Sequence, residues 1–196
     1  MSDLAAFLQL GFRHITDPAA IDHILFLLAL AAVYRPAEWR GALLVISAFT
    51  MGHSITLALA VTSAVQLPTP LIEFLIPVTI VVTGATNLRG EGVGRGIDRP
   101  LLAGGFGLVH GAGFANYLRH LFAGSIATPL FGFNLGIELG QLVVLALAAL
   151  LLTVLDRLLD RARAAGWPSA YRLRVLAVSA AVAGAGAGMA IARRPW

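Results

Sequence analysis

Asp22, His23, His53, His110 and Glu138 lie inside stretches otherwise apolar enough to sit in lipid. An Asp, Lys or Arg at the bilayer centre costs roughly 2.5–3.5 kcal/mol on insertion scales. Residues of this kind are therefore expected to have a partner or a task. Three imidazoles and two carboxylates also make up a ligand set for a divalent metal, and nitrogen and oxygen donors suit nickel, cobalt, zinc or manganese. The chain has no cysteine, so thiolate ligation is excluded. His14, separated from Asp22 by seven residues, is placed to swing over such a site.

A single histidine in a membrane helix is often only a hydrogen-bonding residue between helices. The surroundings argue for more. Thr50 and Thr56 flank His53 on one helical face, and Ser54 follows it directly. Gly107, Gly111 and Gly113 surround His110, and small residues let another group come close. Asn134, Glu138 and Gln141 recur at helical spacing as one polar stripe, beside a second stripe of Gly132, Gly136 and Gly140. Ser54, Thr56, Asn134 and Gln141 are candidates to orient the ligands from behind. Glu73 is a candidate for the ion path, although an acid in a first helical turn also serves the helix dipole. Thr79, Thr83 and Asn87 share a face and read as packing hydrogen bonds. The glycines at 184, 186 and 188 read as a helix-packing face.

The elements that must position these groups are helices in a membrane. Of 196 residues, 58% are hydrophobic and 12% charged, and the mean hydropathy is +0.84. A soluble chain carries about a quarter charged residues. The net charge of +4 comes from fourteen arginines at segment ends, which mark topology and not nucleic-acid binding. Asp17-Pro18, Thr69-Pro70, Asp98, Thr128-Pro129 and Ser169 read as helix starts. The expectation is an all-α, polytopic bundle forming a single integral membrane domain over 1–196. About six transmembrane helices are placed near 18–34, 40–65, 70–88, 99–118, 128–155 and 169–192. Residues 1–17 read as an interfacial segment without the pattern of a removable leader. The stretch 90–98 reads as a polar loop, and 155–174 as a solvated connection.

Alternate loops hold Arg35 and Arg40, then Arg89, Arg95 and Arg99, then Arg157, Arg161, Arg163, Arg172 and Arg174. The other side holds Arg13, Arg119, Arg193 and Arg194. The positive-inside rule places both termini outside. At ~1.5 Å per residue, His53 then lies roughly 18–20 Å and His110 about 16 Å from the inner helix starts, with Glu138 about 14 Å from the outer one. Asp22 and His23 fall near the outer face. One level in the middle to outer half of a ~30 Å core accommodates all five.

Four ordered blocks, GFRHITDPAAIDHILFLLAL, AFTMGHSITLALA, GLVHGAGFA and FNLGIELGQL, resemble the HupE/UreJ family of hydrogenase and urease accessory membrane proteins. The resemblance implies a small permease for nickel or cobalt in a bacterial inner membrane, with hydrogenase or urease maturation proteins as partners. It places His14, Asp22 and His23, then His53 with Ser54 and Thr56, then His110, then Glu138 with Gln141, in the family's blocks. The His14–Asp22 gap is wider than the family's compact spacing. The first functional reading is transport of nickel, cobalt or zinc, with no P-loop for ATP. The rival is an intramembrane zinc hydrolase with Glu138 or Asp22 as general base. A metal-stabilised scaffold is a third reading, and a homo-oligomer is compatible with each.

Overall fold

The computed structural model describes residues 3–66, 68–89, 97–121, 126–162 and 166–196. Most of the glycine-rich loop expected at 90–98, and the side chain of His120, lie outside these. The described residues form seven α-helices and no strand: α1 Asp3–Thr16, α2 Ile21–Ala31, α3 Trp39–Val61, α4 Thr69–Leu88, α5 Asp98–Leu121, α6 Ala127–Ala162 and α7 Ala170–Ala192. Four helical stretches are long and apolar enough to cross a membrane: Pro36–Val61, Thr69–Leu88, Ala127–Ala162 and Ala170–Ala192. α5 has the length, at 24 residues, but Asp98, Arg99 and Arg119 make it more polar.

The first crossing departs from the expected single helix over 18–34. Proline disfavours helical geometry in the residue before it and lacks the donor a helix interior needs, so Pro18 ends α1. Asp17 caps a turn instead of a long helix: its Oδ1 accepts from Ala19 N at 2.9 Å and its carbonyl from Ala20 N at 2.9 Å. α2 starts only at Ile21 and, with 11 residues, spans about 17 Å. Its axis is bent 71° from that of α1.

Close helix contacts run through glycines. Added Cβ atoms would strike Leu4 and Leu8 from Gly132, Leu8 and Phe12 from Gly136, and Phe12 and Ile15 from Gly140. The numbers rise together, so α1 and α6 run parallel. α3 and α5 are also parallel, Gly104 facing Ala48, Gly107 facing Phe49, and Gly111 facing His53. α4 and α7 are antiparallel, Gly84 facing Ser179 and Gly186 facing Pro77 and Ile80. Gly184 and Gly188 meet nothing within 4 Å, so that expected packing face reduces to one glycine. If consecutive crossings alternate in direction, α1 and α6 can be parallel only when α1 and α2 together make one broken crossing.

The ends of α2 and α6 and the start of α7 meet on the arginine-rich side. Tyr171 OH donates to Val33 O at 2.8 Å, and Arg174 donates to Tyr34 O at 3.2 Å and to Asp156 Oδ2 at 2.7 Å. The stretch around Asp156 is thus no solvated connection, since α6 continues to Ala162 and Asp156 holds an arginine that is 1% exposed. Asp156→Asn is expected to cost about 1–3 kcal/mol. This is less than the roughly 3–5 kcal/mol of a fully buried broken pair, because the carboxylate keeps 24% exposure. Thermal unfolding in detergent measures it. On the opposite side Phe74 packs on Trp196 at 5.3 Å, and Arg193 reaches Asp22 Oδ2 at 3.3 Å.

Candidate functional site

Four histidines from four helices converge in the half of the bundle away from the arginine-rich side. His14 comes from the last turn of α1, His23 from the first turn of α2, His53 from the middle of α3 and His110 from the middle of α5. Ring centroids are 4.6 Å apart for His14–His23, 5.4 Å for His23–His110 and 6.3 Å for His14–His53. The break between α1 and α2 makes this possible. It turns the chain so that His14 and His23, which a continuous helix would separate by about 13 Å, face each other.

An aromatic shell surrounds the histidines. Phe26 and Phe49 lie 5.2 and 5.1 Å from the His110 ring, and the stacked pair Phe114 and Phe133 lies 4.1 and 5.7 Å from His14. His53 and His110 are 0% and 1% exposed. Within this shell hydrogen bonds engage one nitrogen of two rings. Asp22 Oδ1 lies 3.0 Å from His23 Nδ1, and a carboxylate only accepts, so Nδ1 carries a proton and Nε2 stands outside the bond. Thr79 Oγ1 lies 2.7 Å from Ile76 O and 2.9 Å from His110 Nε2. A hydroxyl can donate once and also accept, so Thr79 bridges the two and leaves His110 Nδ1 free of the bond.

Both freed nitrogens, together with His14 Nε2 and both ring nitrogens of His53, are buried with no hydrogen-bond partner in the protein. Buried polar groups are normally paired, because leaving one unpaired costs about 1–3 kcal/mol. Four buried imidazoles with nitrogens unpaired within the protein are costly for stability and suited to binding a cation. As placed, no three His, Asp or Glu side chains among the described residues form a metal-holding group. Ring rotation is needed before one ion touches several.

Both expected carboxylates carry protein partners. Asp22 is engaged by His23 and Arg193, so it orients His23. Glu138 Oε1 accepts from Ser47 Oγ at 2.7 Å, and the neighbouring Gln141 Oε1 accepts from Thr50 Oγ1 at 2.8 Å. The polar stripe of α6 thus faces α3. Asn134 Oδ1 is buried without a protein partner. Ser54 bonds back to Thr50 O within its own helix, Thr56 is buried, and Glu73 is exposed at the start of α4.

A second residue that holds an imidazole is Thr79, whose expected role was packing. Its signal was the Thr79, Thr83, Asn87 face of α4, all three now buried. The glycines beside His110 leave no empty space, because α3's backbone fills the positions at Gly107 and Gly111.

The family model described as HupE / UreJ protein matches residues 1–191. Comparison with curated proteins and with solved structures found no match.

Proposed function

This chain belongs to the HupE/UreJ family, and on that premise we propose that it carries a divalent transition metal ion across a bacterial inner membrane. Nickel, cobalt and zinc suit its donors. The observation that carries the reading is the set of four histidines from four helices, whose unpaired ring nitrogens are buried together. An ion entering from the side of the termini meets Asp22 and His14 first and displaces the Arg193 guanidinium from Asp22. The imidazoles of His23, His53 and His110 then replace its water. Hydrogenase or urease maturation proteins are the natural recipients.

Polar groups continue toward the arginine-rich side along two lines. One descends α4 through Thr79, Thr83 and Asn87, where Thr83 donates to Thr79 O and Asn87 Nδ2 to Ala29 O. The other is the buried Thr50–Gln141 pair between α3 and α6, with Ser47–Glu138 beside it on the exposed face. These lines support passage through the bundle over a blind catalytic cavity. The hydrolase reading also needs a free carboxylate as base, whereas Asp22 and Glu138 each hold a partner.

Purified protein in liposomes loaded with a metal-sensing dye is expected to pass Ni²⁺, Co²⁺ or Zn²⁺ down an imposed gradient. Acidifying the receiving compartment should accelerate release, because protons and metal compete for the same lone pairs. Absence of flux for all three ions under every gradient overturns the proposal.

A further inference from the structure

A cavity of about 330 Å³ opens between the start of α3 and the middle of α6, on the arginine-rich side and away from the histidines. Its walls are apolar, with Leu43, Leu142, Leu145 and Leu152 among them. The only charged side chains in its lining are two cations, Arg35 and Arg174. Trp39 and Ala149, also in the lining, are exposed on the bundle surface, so the cavity is open to the surrounding membrane.

The positive charge is held in place. The Arg35 guanidinium lies 4.3 Å from the Tyr171 ring centroid, and that of Arg174 lies 4.9 Å from the same ring. Arg40 and Arg99 stand over Trp39 and Tyr34, two aromatic residues of the lining. The nearby acids are otherwise engaged. Asp156 pairs with Arg174, and Glu38 Oε2 accepts from the Arg35 backbone N at 2.9 Å. Asp160, one turn beyond Asp156, stands outside the lining. Arg174 is 1% exposed, and its Nε is buried without a partner. A buried cation and a fixed surface cation thus stand at the mouth of an apolar slot at the membrane interface.

We propose that this cavity binds an anionic phospholipid of the arginine-side leaflet, its acyl chain between α3 and α6 and its phosphate on Arg35. Arg presents paired donors that match phosphate oxygens. Basic pockets between membrane helices on the cytoplasmic side suit acidic headgroups. The volume is at the lower end of small-molecule sites, which fits part of one chain and excludes a second helix. The inference is independent of metal carriage.

Native mass spectrometry of the detergent-solubilised protein with added phosphatidylglycerol or phosphatidylcholine tests it. The wild type is expected to retain one phosphatidylglycerol in preference to phosphatidylcholine. Arg35→Gln should weaken that preference roughly fivefold, the value of one interfacial arginine. Ala149→Phe, which fills the slot from an exposed helix face, should abolish retention of both lipids while the helical circular dichroism stays unchanged. Equal retention of the two lipids by wild type overturns the proposal, as does unchanged retention in Ala149→Phe. A polypeptide in place of lipid as the bound species also overturns it.

Discussion

His53→Leu is expected to abolish metal flux while leaving the bundle as stable as before, or more so. The imidazole is 0% exposed, and neither ring nitrogen has a protein partner. Its neighbours are Phe49, Phe133 and His14, with ring centroids 6.3 Å away in each case. An apolar side chain of similar volume suits that shell better. Removing an unpaired buried polar group recovers up to about 1–3 kcal/mol. A histidine kept for packing would behave oppositely, with flux retained and stability lost. Flux into dye-loaded liposomes and the thermal midpoint in detergent, measured on the same preparation, separate the two. A lower midpoint with normal flux removes His53 from the site.

Gly107→Leu is expected to disrupt folding. A Cβ at Gly107 would collide with the Phe49 carbonyl and lie 2.9 Å from His53 N. Both are backbone atoms, so relief requires moving the α3 axis and, with it, both His53 and His110. Overpacking costs about 1–3 kcal/mol and sometimes more, and a rigid backbone contact puts this site at or above the upper end. Gly105→Leu, two residues away on the same helix, meets nothing within 4 Å. Its expected effect is within about 0.5 kcal/mol. Equal behaviour of the two variants in size-exclusion profile and thermal midpoint would refute the close α3–α5 contact as the cause.

Helix identity was legible in the sequence because apolar stretches of about 20 residues leave lipid little alternative to helix. The expected sixth segment, 169–192, agrees with α7 at Ala170–Ala192, and Ser169 accepts from Arg172 N as a cap. The convergence of His23, His53 and His110 also followed from depth counting. Segment one misled because Asp17-Pro18 is equally good chemistry for starting a long helix and for breaking a crossing in two. Only the contact of α1 with α6 decides between them. That contact sits on the Gly132, Gly136, Gly140 stripe, which was recognised as a packing face without a known occupant. It also explains His14: α1 fills the outer half of the crossing, so the wide gap to Asp22 is taken up by the turn.

Glu138 shows a different limit. Helical spacing places it on a face with Gln141, but spacing cannot say whether that face meets histidines or the Ser47 and Thr50 hydroxyls of α3. Thr79 was underrated because a threonine in a membrane helix usually bonds to its own helix. This one lies within hydrogen-bond distance of its own helix at Ile76 O and of His110 Nε2 as well.

The two halves of the broken first segment are held by different contacts. α1 is locked backbone to backbone onto α6, whereas α2 is tied to α4 by Asn87 through Ala29 O and, just beyond its far end, to α7 by Tyr171 through Val33 O, with its last turn also packed on α6. His14 and His23 sit on either side of the break between them. Any flexing at that break is therefore felt first as a change in the spacing of these two rings.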